Sequence, residues 1–211
     1  MRLLLATNNP GKIQQIKETL GDLPYQIVTS IELGLGEIEI EETGKTLEEN
    51  AGLKARGFFD AAQKAGIMDV AVLADDGGLE IDALNGEPGI YAKRWAGENP
   101  TDEEMIAYTL KRMEGIPNEQ RTARFSVYQV LIFPDGHQEV ATGATEGSII
   151  EHPAKNRYPR LPYGALLLVR KFGKVYDELT EEEKEYTHRA IALGQIRDII
   201  NQFYAGSQVH P

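Results

Sequence analysis

Two adjacent carboxylates, Asp75 and Asp76, follow an apolar run at 70–74 and precede two glycines. Catalytic groups in α/β folds lie at the carboxyl ends of strands, so this position is typical of a site. Carboxylate oxygens suit Mg²⁺, which takes one or two protein carboxylates and completes its shell with substrate phosphates. One of the two could instead orient or deprotonate a water molecule. A solvated acidic turn is the alternative that these residues leave open.

The segment Thr-Asn-Asn-Pro-Gly-Lys at 7–12 joins an apolar run to a stretch with helical spacing. Backbone N–H groups at the start of a helix favour an anion, and Lys12 adds a full positive charge. The loop is not a Walker A motif, because the glycine spacing and the Gly-Lys-Ser/Thr ending are missing. It indicates either an anion-binding loop or an ordinary turn between a strand and a helix.

Four glutamates, at positions 37, 39, 41 and 42, form an acidic stretch. Alternation places the first three on one face of an extended chain. A face turned toward solvent explains this pattern. If the stretch lies near Asp76, one glutamate could also complete a metal shell.

Lys184 precedes Thr187-His188-Arg189. On a continuous helix Lys184 and His188 share a face, since they are four residues apart. Thr187 is also a good N-cap, and in that case Lys184 lies before the helix. The histidine and arginine could contact a phosphate or a base edge, or the segment could be a capped helix with a surface arginine.

These groups must be positioned by the elements that the sequence predicts. Strands alternate with helices in the first part of the chain and a run of strands follows, which predicts a mixed α/β fold. The predicted strands are 3–6, 26–30, 70–74, 121–133, 138–143 and 165–169, with extended stretches at 37–41 and 79–84. The strand at 70–74 is predicted to end at the turn Asp75-Asp76-Gly77-Gly78. The predicted helices are 12–20, a segment capped by Thr46 that ends near 64, a segment capped by Thr101 that ends at 113, and 187–203. Residues 152–164 are predicted to form a loop.

Composition limits the classes of function. The 211 residues suggest one domain, 1–211, with a formal net charge of −11 and no cysteine. Such an acidic chain is a poor candidate for nucleic-acid binding. No apolar run approaches the length of about 20 residues that a membrane helix needs, and the N-terminus turns polar too soon for a signal peptide. We therefore expect a cytoplasmic protein with no nucleic-acid or membrane partner.

Six segments together resemble the inosine triphosphate pyrophosphatase family. They are residues 5–12, 41–46, 49–55, 74–91, 94–97 and 187–189. The resemblance implies an elongated, two-lobed domain in which helices flank a central mixed β-sheet, with a cleft between the lobes. It also implies a homodimer and Mg²⁺-dependent hydrolysis of non-standard purine triphosphates such as ITP, dITP and XTP to monophosphate and pyrophosphate.

Carried onto matching positions, the resemblance assigns three groups of residues. The triphosphate would be held by Thr7, Asn8, Asn9, Pro10, Gly11 and Lys12. The metal would be bound by Glu41 and Asp76, with Asp75 beside them, and Asp76 would also be the catalytic base. The remaining substrate contacts would be Gly77, Tyr163, Lys184, His188 and Arg189.

Two departures from the family pattern concern substrate selectivity. Gly77 stands where the family usually has serine, and Gly164 stands where its Phe-Gly-Tyr-Asp-Pro motif has aspartate. They predict altered or relaxed base selectivity. They also leave open a module that binds nucleotides without cleaving them, or a pyrophosphatase for another phosphorylated molecule, with Lys155, Arg157 and Arg160 in its pocket.

Overall fold

The computed structural model describes residues 2–155 and 161–207, so Arg157 and Arg160 lie outside the described residues. Within these described residues, seven strands form one sheet in the order β2-β1-β3-β4-β5-β6-β7. Their bounds are β1 Arg2–Leu5, β2 Gln26–Thr29, β3 Val70–Ile81, β4 Thr122–Ile132, β5 Gln138–Ile149, β6 Leu167–Val169 and β7 Lys174–Val175. Strand β1 is parallel to β2 and β3, whereas β6 is antiparallel to β5 and β7. The predicted mixed α/β fold is therefore confirmed.

Five α-helices accompany the sheet within the described residues. They are α1 Pro10–Leu20, α2 Leu47–Lys64, α3 Asp102–Arg112, α4 Glu181–Lys184 and α5 His188–Ser207. Two of the predicted caps are present. The hydroxyl of Thr46 accepts a hydrogen bond from the N–H of Glu49, and Thr101 forms a complete capping box with Glu104. Within the described residues, none of these helices is both long enough and apolar enough to cross a membrane.

The chain divides into two compact units, each with its own core. Unit 1 comprises residues 1–76, 127–143 and 189–211. Leu3 and Leu5 on one face of its sheet pack with residues of α1 and α5. Leu4 and Ala6, which point the other way, pack with α2. Helices thus cover both faces of the parallel strands, which explains why β1 is a continuous apolar run.

Unit 2 comprises residues 77–126 and 144–188. Its core combines the second half of β3 with α3 and with the short 3-10 helix Pro162–Ala165 that precedes β6. Leu79, Ile81 and Leu167 are fully buried there. The predicted loop at 152–164 therefore ends in a helical turn that belongs to a core.

Strand β3 corrects the sequence interpretation. The pair Asp75-Asp76 was predicted to close a strand, but β3 continues through both aspartates to Ile81. Gly78 serves close backbone packing rather than a turn, because a Cβ there would collide with the carbonyl oxygen of Gly89. The two carboxylates consequently lie inside a strand, on rigid backbone.

The bounds of the other elements differ less from those predicted from the sequence. The turn at 134–136 closes the hairpin between β4 and β5 as predicted, and Gly136 supplies the positive φ of 87° that it needs. Strand β5 extends six residues beyond its predicted end, to Ile149. The acidic stretch at 37–41 forms no regular strand, but its glutamates are exposed while Ile38 and Ile40 pack on the core, as its alternation predicts.

Candidate active site

The loop between β1 and α1 is ordered by its own side chains. Asn9 is the N-cap of α1, and its Oδ1 accepts hydrogen bonds from the N–H groups of Gly11 and Lys12 at 2.9 and 3.3 Å. Pro10 occupies the first helical position, where its fixed φ is favourable. The hydroxyl of Thr7 accepts from the N–H of Asn9 at 3.2 Å. The first backbone N–H groups of α1 are thus already hydrogen bonded within the loop. The positive charge of the Lys12 side chain is therefore the main feature of this loop that would attract an anion.

Lys12 and Arg189 converge on Asp75. The Nζ of Lys12 donates to Oδ1 of Asp75 at 2.8 Å, and the Nε of Arg189 donates to Oδ2 at 3.2 Å. The side chain of Asp75 is only 1% exposed, whereas those of Lys12 and Arg189 are 19% and 17% exposed. Arg189 also donates to Gln15 of α1 at 3.1 Å. Asp75 therefore holds two cations in fixed positions, and its own role as a metal ligand stays a prediction.

The ionisation of this cluster follows from its unequal charges. Burial alone would raise the pKa of Asp75, but the charges of Lys12 and Arg189 outweigh it and hold the pKa well below its usual range. Lys12 responds in the opposite sense. Burial lowers its pKa, Asp75 opposes that effect, and the neighbouring cations Arg189 and Lys54 add to it. Asp75 is therefore firmly ionised between two cations. Because one carboxylate does not neutralise two positive charges, Lys12 and Arg189 can still be stabilised by a further anion.

Lys54 of α2 contacts the second aspartate. Its Nζ donates to Oδ1 of Asp76 at 2.8 Å and lies 3.4 Å from Oε1 of Glu42. Burial lowers the pKa of Lys54, but Asp76 and Glu42 outweigh burial and raise it. The sequence interpretation missed this residue. The only signal for it was its place in the segment 49–55 that matches the family.

The segment that carries the acidic pair Glu41 and Glu42 is tied to α2. The buried side chain of Asn50 accepts a hydrogen bond from the N–H of Gly44 at 2.8 Å. A Cβ on Gly44 would come within 2.6 Å of the same side chain, so the motif requires glycine there. Glu42 is half-buried and Glu41 is exposed. Among the described residues, no three His, Asp or Glu side chains cluster so that they could hold a metal ion.

His188 begins α5 and belongs to unit 2. Its backbone N–H donates to the hydroxyl of Thr145 at 2.7 Å, and its Nδ1 lies 3.1 Å from the same oxygen. Its ring lies beside the rings of Phe125 and Tyr176, at centroid distances of 5.4 and 5.8 Å. Thr187 donates its hydroxyl to the carbonyl of Lys184 instead of capping α5. The helix is capped from β5, a contact that the sequence did not reveal.

The remaining predicted contacts lie in unit 2. Tyr163 is buried and donates its hydroxyl to the carbonyl of Ala92 at 2.7 Å, and burial raises its pKa. Gly77 is half-buried in β3. Lys184 ends α4, which is a separate helix from α5, and its Nζ contacts Glu181 at 2.7 Å. Lys184 therefore lies before α5, as one alternative predicted, although the side-chain cap by Thr187 on which that alternative rested is not observed.

A model of the Ham1 family matches residues 3–199. The chain belongs to the Ham1 family. This confirms the predicted resemblance to the inosine triphosphate pyrophosphatase family. A dITP/XTP pyrophosphatase of Bacillus subtilis is 39% identical over 198 residues, which cover 93% of this chain and 96% of that protein. One of Thermus thermophilus is 41% identical over 194 residues, 92% and 88% of the two chains. The solved Ham1 protein of Staphylococcus aureus has a TM-score of 0.82 and 33% identity, covering 96% of this chain and 99% of that one.

In this Ham1 family member, unit 1 brings together four residues from distant parts of the sequence around the aspartate pair. Lys12 comes from α1, Lys54 and Glu42 from α2 and the segment before it, and Arg189 from α5. Thr7, Asn8 and Pro10 line one side of a cavity of about 650 Å³, to which Lys12 and Asp75 do not contribute. The charged cluster, rather than this cavity, carries the groups that could bind and cleave a phosphoanhydride.

Proposed function

We propose that this chain hydrolyses non-standard purine nucleoside triphosphates, such as ITP, dITP and XTP, to the monophosphate and pyrophosphate. The observation that carries the proposal is the cluster in unit 1, where Lys12, Arg189 and Lys54 surround Asp75 and Asp76. The relatives in Bacillus subtilis and Thermus thermophilus are named for dITP and XTP as substrates. Near-complete coverage of those relatives supports the same activity here.

The cations would bind the triphosphate. A polyphosphate carries several negative charges, and charge-assisted hydrogen bonds from lysine and arginine are stronger than neutral ones. Asp75 fixes both Lys12 and Arg189 before substrate arrives, so little ordering remains to be done on binding. Gly11 and Asn9 would lie next to the bound phosphates at the start of α1.

The donor set fits a divalent metal. Asp76 is hydrogen bonded through Oδ1 to Lys54, and its Oδ2 receives no hydrogen bond from the described part of the chain. Mg²⁺ needs only one or two protein carboxylates when phosphates complete its shell, so a group of three is not required. Asp76 and Glu41 would hold the ion, with Asp75 beside them. When bound, the ion would neutralise charge on the phosphate oxygens.

Asp76 would act as the general base. A carboxylate within reach of a water molecule can accept its proton as the oxygen attacks phosphorus. Lys54 donates to Oδ1 of Asp76 and thereby fixes the orientation of the carboxylate. Lys12 and Arg189 would stabilise the charge that develops on the phosphates as the bond breaks.

The test is a panel of triphosphates and one substitution. Purified protein with Mg²⁺ is incubated with ITP, XTP, dITP, ATP, GTP and pyrimidine triphosphates, and pyrophosphate release is measured. We expect ITP and XTP to be preferred. Asp76→Asn should lower kcat by about 100-fold or more, because a general base of this kind contributes roughly that factor.

Asp60→Asn is the matched control, since Asp60 lies on the exposed face of α2. It should leave kcat unchanged. Removal of the metal with EDTA should abolish turnover, and added Mg²⁺ should restore it. Unchanged turnover in Asp76→Asn would remove that residue as base, and tight binding without turnover under any divalent metal would indicate a nucleotide-binding module instead.

The resemblance also supports a homodimer located in the cytoplasm, which we include in the proposal. Sedimentation velocity at micromolar concentration would show the dimer, and a monomer at that concentration would contradict it.

A further inference from the structure

The carboxylate of Asp177 occupies the space next to Gly164. Gly164 lies in the buried 3-10 helix Pro162–Ala165, and Asp177 lies in a second one, Tyr176–Glu178. A Cβ built on Gly164 would overlap Oδ1 of Asp177 and would lie 2.8 Å from its Cγ and 3.2 Å from its Oδ2. The backbone of Gly164 is not in the left-handed region. The three atoms nearest to such a Cβ all belong to the side chain of Asp177, which therefore stands directly in the way of a side chain at 164.

This contact places a carboxyl group where the sequence lacks one. The family motif carries aspartate at the position of Gly164, and Asp177 brings the same group to the same place from 13 residues further along the chain. The two short helices pack against each other, and the second one also contacts β6. The position of the carboxylate is thus fixed by the core of unit 2.

Asp177 follows Tyr176, whose ring belongs to a group of aromatic side chains. The ring of its neighbour Tyr176 lies 5.0 Å from that of Phe125, in an edge-to-face arrangement, and 5.8 Å from that of His188. Planar rings with a polar group beside them are typical of sites for a flat heterocycle. All these residues belong to unit 2.

Asp177 is only 5% exposed. Burying a carboxylate costs free energy unless other groups compensate its charge.

We propose that Asp177 determines the base specificity of this chain, by accepting a hydrogen bond from a ring N–H of a 6-oxopurine. Hypoxanthine and xanthine carry a hydrogen on N1, which a carboxylate can accept, whereas N1 of adenine is itself an acceptor and would be repelled. A site built around such a hydrogen bond discriminates strongly against analogues that lack the donor. This inference rests on the proposed triphosphate hydrolysis.

The test compares kcat/KM for ITP and ATP in wild type, Asp177→Asn and Glu178→Gln. Asparagine keeps the shape of aspartate but turns one acceptor into a donor. We expect Asp177→Asn to lower kcat/KM for ITP by about 10- to 100-fold, the usual range for a hydrogen bond to a charged group, and not to lower it for ATP. Glu178 is the adjacent exposed carboxylate, and its substitution should change neither value.

A second pair of variants shows whether a loss of ITP preference comes from the missing carboxylate or from disturbed packing. Asp177→Ala removes the carboxylate and clears the space beside Gly164, and Gly164→Asp in that background returns a carboxylate from the facing position. We expect the double variant to regain at least part of the ITP preference that Asp177→Ala loses. Gly164→Asp alone should lower the thermal midpoint, since its Cβ collides with Asp177.

The outcomes separate this inference from the proposed function. If wild type cleaves triphosphates and Asp177→Asn keeps its ITP-to-ATP ratio, the role of Asp177 is overturned and the hydrolysis stands. If wild type cleaves none of them, the proposed function fails. The same ratio is then measured from dissociation constants of ITP and ATP by calorimetry, and an unchanged ratio in Asp177→Asn again overturns the inference.

Discussion

Asp75 shows how one side chain can organise a charged site. Its two oxygens bind different cations, Lys12 from α1 and Arg189 from α5, which are 177 residues apart in the sequence. Removing one partner from a buried ion pair is strongly destabilising, because the remaining charges lose their compensation. The ion pairs of Asp75 therefore stabilise the fold of unit 1 and also fix the positions of Lys12 and Arg189.

Asp75→Asn should lower the free energy of unfolding by about 3 kcal/mol at pH 7. The folded pKa of Asp75 lies below its unfolded value, so its contribution is complete above the unfolded pKa of about 4 and is lost only as pH falls through the folded value. The difference between wild type and variant should thus stay constant from pH 8 to pH 5. Urea unfolding at several pH values measures it.

Asp22→Asn is the control for that measurement, since Asp22 forms an exposed ion pair with Arg197 and its loss should change little. A difference between wild type and Asp75→Asn that already shrinks between pH 7 and pH 5 would contradict the low pKa.

Residue types alone identified Lys12, Asp75, Asp76 and Arg189, but not their partners. The sequence shows that cations and carboxylates are present near strand and helix ends. It does not show that Arg189 reaches Asp75, because that contact depends on how α5 packs against α1. Lys54 was missed for the same reason, since a lysine on a helix surface is common and only its contact with Asp76 distinguishes it.

Local signals predicted the elements well where the physical cause was also local. The capping box of Thr101 with Glu104 spans three residues, and α3 begins next to it. The cap of α5 comes from Thr145, 43 residues earlier in the sequence, so the segment itself contains no sign of it. The two glycines after Asp76 misled the strand prediction, because the sequence does not distinguish a turn from the close packing that Gly78 makes with another backbone segment.

Thr145→Val tests the remote cap of α5. Valine keeps the size of threonine but loses the hydroxyl, so the buried N–H of His188 would have no acceptor. We expect a loss of about 2 kcal/mol in the free energy of unfolding, the usual range for an unsatisfied buried donor. Thr145→Ser keeps the oxygen and should lose clearly less. Equal losses in the two variants would assign the effect to packing rather than to the hydrogen bond.

The two units share strands rather than being successive segments. The chain passes between them after residues 76, 126, 143 and 188, and β3, β4 and β5 each contribute residues to both. Leu73 belongs to the core of unit 1 and Leu79 to that of unit 2, on the same strand. The aspartate pair ends the part of β3 in unit 1, and Gly77 begins the part in unit 2. Length suggested one domain, and the family resemblance implied that it has two lobes. The residue pattern itself could not reveal two cores, because neither unit is continuous along the chain.

Strands common to both units should make unfolding cooperative. Leu73→Ala removes buried side-chain atoms from the core of unit 1 and should lower the free energy of unfolding by about 3 kcal/mol. Trp95, the only tryptophan, lies in unit 2 beside Tyr108 and reports on that unit alone. We expect its fluorescence and the far-UV circular dichroism to shift to the same lower urea midpoint, as in a two-state transition. Leu53→Ala, at a site that is 39% exposed on α2, is the matched control and should shift neither signal appreciably. A tryptophan transition that stays in place while the circular dichroism moves would mean that the units unfold independently despite their common strands.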